Sequence, residues 1–158
     1  MRSILFVCTA NICRSPTAEG VLRAMLAREG LSEHFEIDSA GTHDYHIGKP
    51  PFPEAMVMAR KHGYDIAGRV SRKVGPGDFD HFDMILAMDG LNLRSLRAIA
   101  PTRFKEKIEL LLEYGDRFHG KEVPDPFNGK EENYKLALEM IEDGCAGLMT
   151  LLQRMAKR

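Results

Sequence analysis

The chain has 158 residues, 44% hydrophobic and 28% charged, enough to bury one full core but not two, so a single domain over 1–158 is expected. Its 22 basic and 23 acidic residues are spread evenly for a formal net charge of −1, which excludes a polycationic face for nucleic acid or an anionic membrane and leaves only a local anion site. Three cysteines, Cys8, Cys13 and Cys145, and an opening stretch with only a short apolar run argue against a disulfide framework, a signal peptide or a membrane span, and for a cytoplasmic protein with reduced thiols.

Ser3 to Val7 (SILFV) is a continuous apolar run without helical period, as expected of a central parallel strand covered on both faces. Ala18, Val21, Leu22, Met25 and Leu26 then recur at helical spacing, with Ser15 placed to cap, Pro16 at the first helical position and Gly30 to stop the helix. Phe35 to Ala40 reads as a second strand, and so short a strand–helix–strand succession favours a right-handed crossover into a parallel sheet. A long loop, GTHDYHIGKPPFP, follows. Glu54 to His62 reads as a short helix closed by Gly63, Asp83 to Met88 as the third strand, Leu91 to Ile99 as a helix ended before Pro101, and Ile108 to Leu112 as the fourth strand.

Tyr134, Leu138, Ile141, Cys145, Leu148, Leu152 and Met155 step by four and three, predicting one long C-terminal helix with an apolar stripe. Gly144 and Gly147 inside it count against its continuity. Cys145 lies on the stripe and reads as a small buried hydrophobe. No cofactor or metal is expected: a zinc site needs about four ligands, while Cys8 and Cys13 have no second pair nearby and the histidines are scattered.

The chemistry concentrates in VCTANICRSPTAEG, residues 7 to 20, between the first strand and the first helix. Open α/β sheets bind ligands in that position, and the unpaired N–H groups and dipole of a helix N-terminus favour an anion. The Walker pattern of nucleotide-binding loops is absent. In its place stand Cys8 and Arg14, five residues between them, so that both ends of the turn and the intervening N–H groups can converge on one oxyanion. Arginine presents a planar fork to two phosphate oxygens. A cysteine facing the same donors is held toward its thiolate, the nucleophilic form, and Ser15 can steady that sulfur as a leaving group.

The stretch resembles the C-x5-R-S signature of the low-molecular-weight protein tyrosine phosphatases, with Asn11, Ile12, Cys13, Arg14, Ser15 and Pro16 in order. SAGT (39–42), YHIG (45–48), DFDHFDMILAMD (78–89), Asn92-Leu93 and VPDPF (123–127) resemble further landmarks at compatible distances. The resemblance implies an α/β fold, a single three-layer domain with a four-stranded parallel sheet in the order 2-1-3-4 and helices on both faces. It implies hydrolysis of aryl phosphate monoesters on phosphotyrosine proteins through a phosphocysteine intermediate, with inorganic phosphate as product, in a monomer or weak dimer. Cys8 would be nucleophile, Arg14 the phosphate clamp and Asp125 the general acid and base.

Pro124 and Pro126 flank Asp125, bias it away from helical geometry and stiffen its loop. Thr9, Ala10, Asn11, Ile12, Cys13 and Ser15 would complete the phosphate cradle, with Tyr45 and Phe127 as aromatic walls. Asn11 and Ser39 would hold the loop in shape, and Asp89, at the end of the third strand, could orient Arg14. Cys13 would capture an oxidised Cys8 as a reversible disulfide.

Three positions depart from the family pattern: Ala10 stands where glycine is usual, Arg69 where many relatives have a histidine that helps pin the loop asparagine, and Asn128 where many place a second aromatic. The rival readings are an arsenate reductase, which would need relay cysteines absent between 14 and 144; a phosphoarginine phosphatase, whose members tend to have threonine in place of Ile12; and a non-catalytic phosphotyrosine-binding module.

Overall fold

In the computed structural model, which describes residues 2–157, the SILFV run is the middle of strand β1 (Arg2–Cys8). Its side chains alternate between two cores. Ile4, Phe6 and Cys8 pack with Ala18, Leu22, Leu138 and Leu148 on one face of the sheet, while Leu5 and Val7 pack with Phe79, Leu96 and Ile108 on the other. A strand buried on both sides has no polar face to show, which is why its sequence lacks alternation. Each such apolar side chain removed from water contributes about 1.5–3 kcal/mol.

Around β1 the chain builds α1 (Arg14–Arg28), β2 (Phe35–Gly41), α2 (Pro53–Lys61), α3 (Pro76–His81), β3 (Met84–Ala87), α4 (Gly90–Ile99), β4 (Ile108–Leu110) and α5 (Glu131–Ala156). The strands form one parallel sheet in the order β2-β1-β3-β4, as expected. β1 lies between β2 and β3, with Ile4 opposite both Ile37 and Met84. The strand order therefore changes direction at β1, and the loop leaving its C-terminal end opens at the switch point of the sheet. Among the described residues no helix is long and apolar enough to cross a membrane.

Several boundaries differ from the sequence reading. Helix α1 starts at Arg14 with Cys13 as its N-cap and no side-chain cap; Ser15 lies inside the first turn because its hydroxyl is engaged elsewhere. The third strand is shorter than Asp83–Met88, and the fourth gives way after Leu110 to a 3-10 turn over Leu111–Tyr114. Helix α3 was not anticipated: at six residues it is too short to show a period.

Helix α5 runs unbroken through Gly144 and Gly147. A side chain at Gly147 would fall on the Tyr114 carbonyl oxygen, and one at Gly144 would come within 2.7 Å of Leu111 Cγ. The two glycines let the helix backbone seat directly on the 3-10 turn, and that close packing outweighs their low helix propensity.

Candidate active site

The chain from Thr9 to Cys13 curls so that its carbonyls face outward. Thr42 N–H donates to Cys8 O at 2.9 Å, His43 N–H to Thr9 O at 2.9 Å and Phe52 N–H to Ile12 O at 2.8 Å, while the Ser71 hydroxyl donates to Ala10 O at 2.8 Å. Among the described residues none of the N–H groups of residues 9–13 donates to a backbone carbonyl outside the regular elements. They are left for the concave side. The tight wrap depends on Gly41, where a Cβ would lie 2.6 Å from Thr9 O.

Asn11 takes the left-handed turn at the apex, with φ 59°, a conformation asparagine tolerates better than most residues. Ala10 is not among the residues with positive φ, so the alanine fits where relatives carry glycine. Arg72 N–H donates to Asn11 Oδ1 at 3.0 Å, and Asn11 Nδ2 donates to Ser15 Oγ at 2.7 Å and Ser39 Oγ at 3.1 Å. Ser39 in turn donates its hydroxyl proton to the buried Glu19 carboxylate at 2.7 Å.

This fixes the proton order of the network. Ser15 Oγ accepts from Asn11, so its own proton is free to point at Cys8 Sγ, 3.0 Å away, or at Ala40 O, 3.3 Å away. Arg69 does not reach Asn11. Its Nη1 donates to Glu19 at 2.6 Å, so it acts on the loop through Glu19 and Ser39.

Arg14 is 2% exposed. Its Nη1 donates to Asp89 at 2.6 Å and to Val123 O at 2.9 Å, and its Nη2 makes only long contacts, 3.4 Å to Thr9 Oγ1 and 3.7 Å to Asp125 Oδ2. The Nε is buried without a hydrogen-bond partner. One corner of the guanidinium is therefore anchored and the Nε–Nη2 edge is left available, the edge that meets two oxygens of a tetrahedral anion. Burial works against the charge of Arg14, but Cys8, the Asp89 hydrogen bond and Asp125 outweigh it and hold the guanidinium above its ordinary pKa. Asp89, bonded to Arg14, also caps α4 by accepting from Asn92 N–H at 2.8 Å. Asn92 Nδ2 reaches back to Thr9 Oγ1 at 3.1 Å, a tie not anticipated from sequence.

Cys8, Thr9, Ala10, Ile12, Cys13, Arg14, Tyr45, Asp125 and Phe127 line one cleft of about 220 Å³, together with His46. Asn11, Ser15, Ser39 and Asp89 stand behind that lining as supports. His46 was missed by the sequence reading, although it lies in the quoted YHIG stretch; it packs on Phe127 with ring centroids 6.0 Å apart. Phe127 also meets Phe52 edge-on at 5.0 Å, and Tyr45 stacks on His43 at 4.9 Å. Asn128 adopts φ 62°, a left-handed step beside the wall rather than a second aromatic face.

Asp125 is half exposed, its Oδ2 3.7 Å from Arg14 Nη2. Its Oδ1 accepts from Phe127 N–H at 3.1 Å, a local turn that holds the carboxyl over the cleft. Cys13, the other thiol of the loop, is held in its protonated form in the resting site. Burial, with the negative charges of Cys8 and Asp125, pushes its thiol well above the ordinary range, and Arg14 and Tyr134 oppose that only partly.

Comparison with known proteins agrees with this geometry. The family described as low molecular weight phosphotyrosine protein phosphatase matches residues 3–158. The low molecular weight protein-tyrosine-phosphatase YfkJ of Bacillus subtilis is 38% identical over 154 residues, 98% of this chain and 97% of that one. A crystal structure of a protein tyrosine phosphatase from Entamoeba histolytica, with Hepes in its active site, superposes with a TM-score of 0.94 at 35% identity, covering 99% of each chain. The arginine phosphatase YwlE of Bacillus subtilis is also similar, with a TM-score of 0.85 at 30% identity over 96% of this chain and 95% of that one, in the structure of a cysteine-to-serine mutant whose active-site serine is phosphorylated. By sequence and by fold, over nearly its whole length, the chain belongs to the low-molecular-weight phosphotyrosine protein phosphatase family.

Proposed function

We propose that the chain dephosphorylates phosphotyrosine on proteins, with Cys8, Arg14 and Asp125 as the catalytic residues. The observation that carries this reading is the buried, unpartnered Nε of Arg14 beside a cysteine sulfur held 3.0 Å from a serine hydroxyl at the floor of an amide-lined bowl. Such a site has donors fixed in advance for the charge on the transferring phosphoryl group, so little reorganisation is needed as the reaction proceeds.

In the first step the Cys8 thiolate attacks phosphorus and the bond to the aryl oxygen breaks. Asp125 gives its proton to the departing phenolate. Thr9 to Cys13 supply N–H donors to the equatorial oxygens, and the Nε–Nη2 edge of Arg14 tracks them through the transfer. In the second step water attacks phosphocysteine while the Asp125 carboxylate takes its proton. The Cys8 sulfur leaves as thiolate, steadied by the Ser15 hydroxyl, and inorganic phosphate is released. The phosphorylated serine that replaces the active-site cysteine in a YwlE mutant supports a covalent route of this kind.

Tyr45 and Phe127 wall an aryl ring, and Ile12 stands where the resemblance places threonine in enzymes acting on phosphoarginine; both favour phosphotyrosine. We place the reaction in the cytoplasm, where Cys8 stays reduced, and assign Cys13 the trapping of a Cys8 sulfenic acid as a disulfide, with loss of water, reversible by dithiothreitol. Equal recovery of peroxide-treated wild type and Cys13→Ser would reject that last role.

The test of the main reading is hydrolysis of p-nitrophenyl phosphate, a phosphotyrosine peptide and a phosphoarginine peptide without added metal. Turnover of the first two, lost in Cys8→Ser, is expected. Preference for phosphoarginine would transfer the assignment to the arginine-phosphatase branch, and phosphate binding without wild-type turnover would make the protein a binding module.

A further inference from the structure

The lip of the cleft carries an apolar patch that the chemistry of phosphate transfer does not use. Tyr45 is 66% exposed, Ile47 55% and Val70 63%. Ile47 sits at the apex of a tight turn closed by Lys49 N–H donating to His46 O at 3.0 Å, with Gly48 at φ 82°. Turn apices are normally filled by polar residues or by glycine and proline. An isoleucine there gains nothing from its exposed position.

The turn is also pinned. Gly48 N–H donates to Ser71 O and Ser71 N–H to Lys49 O, each at 2.9 Å, which stitches the segment carrying Ile47 to the segment carrying Val70. The Ser71 hydroxyl then donates to Ala10 O at 2.8 Å, tying both segments to the loop that surrounds Cys8. The backbone carrying the two aliphatic side chains is thus fixed to the catalytic cradle, and Ile47 follows directly on Tyr45 and His46, which line the cleft.

We propose that Ile47 and Val70 form a substrate subsite that takes an apolar side chain within about three residues of the phosphotyrosine, so that the preferred substrates are phosphotyrosine segments with an aliphatic or aromatic neighbour. This rests on the phosphatase reading above. The occupant follows from the geometry. A phosphotyrosine that enters the cleft brings its own flanking chain past Tyr45 and His46, and Ile47 follows those two residues directly, with the segment carrying Val70 stitched beside it. The backbone on this side is already pinned, so little of its conformational freedom is lost on contact, and water leaves apolar surface on both partners.

The experiment compares kcat/KM for three phosphotyrosine peptides that differ only in the residues flanking phosphotyrosine (leucine, glycine or aspartate), with p-nitrophenyl phosphate as a substrate that has no flanking chain. The wild type is expected to favour the leucine peptide over the glycine peptide by about five- to tenfold. The double variant Ile47→Ser, Val70→Ser is expected to lose that preference while hydrolysing p-nitrophenyl phosphate at the wild-type rate, which also shows that it is folded. Equal wild-type rates on the three peptides, or a leucine preference retained in the double variant, overturns the subsite. So does a concentration-dependent loss of peptide turnover relieved by the double variant, because the patch would then be occupied by a second copy of the chain. Absence of turnover on every substrate, p-nitrophenyl phosphate included, overturns instead the phosphatase reading on which the subsite depends.

Discussion

The loop that carries Cys8 and the loop that carries Asp125 face the same cleft and are built in opposite ways. The first is buried and bonded at almost every carbonyl, its asparagine spending its side-chain oxygen and both amide protons on neighbours. The second is a proline-flanked strap whose working carboxyl is half exposed and held by one local hydrogen bond and a long contact to Arg14. The difference follows their tasks. Donors aimed at developing phosphate charge are effective only if fixed beforehand, whereas a group that first gives a proton to a departing phenol and then takes one from incoming water must meet two partners in succession.

The strongest way to break the contrast is at its centre. Cys8→Ser is expected to abolish turnover, a loss of at least about 10⁴-fold, while phosphate affinity measured by calorimetry persists, because the amide cradle and Arg14 remain. Asp125→Ala should cost roughly 10²–10⁴-fold with poorly departing phenols and much less with activated aryl phosphates. Equal losses for both leaving groups would reject Asp125 as the acid.

Asn11→Ala sharpens the comparison from the rigid side. It leaves Ser15, Ser39 and the Arg72 amide each short of a partner and places alanine at a left-handed φ. A misplacement of the cradle by a fraction of an ångström should lower kcat by about 10- to 10²-fold, equally for good and poor leaving groups. Pro126→Ala tests the other side: releasing the strap should change kcat only a few-fold, with the effect confined to poor leaving groups.

A last and smaller contrast lies between two thiols in one loop. Iodoacetamide at neutral pH should label Cys8 first and be slowed there by inorganic phosphate, with Cys13 left unmodified in the folded protein, as read by peptide mass mapping. Burial keeps Cys13 in its unreactive thiol form.

The features legible in the sequence were those whose cause is local. SILFV showed a two-sided core strand by its lack of period, and the stripe from Tyr134 to Met155 showed α5. Cys8, Arg14 and Asp125 were legible through spacing and resemblance, and the structure brings them to one cleft. What stayed hidden depends on partners distant along the chain. The sequence offers Asp89 only as a carboxylate that could orient Arg14, because the hydrogen bond between them joins residues 75 apart in the chain. Glu19 lies one position too late for a capping box, and nothing nearby shows that it accepts from Ser39 and Arg69. The start of α1 was misjudged for a related reason: Ser15 looks like a cap, but Asn11 and Cys8 compete for its hydroxyl and win. Gly147 reads as a helix breaker unless one knows that the Tyr114 backbone lies against it.

The outward-facing carbonyls of the Cys8 loop tie the enzyme's working order to remote parts of its chain. Residues 42, 43, 52, 71 and 72 each clasp the rim, so the bowl exists only once the second strand, the approach to the second helix and the segment beyond it have all docked. Seven consecutive residues cut out as a peptide would keep every reactive group and none of the shape. Catalytic output therefore reports on the integrity of the folded body as a whole: a lesion far from the sulfur that loosens any one of those clasps should register as lost turnover before it registers as lost helix.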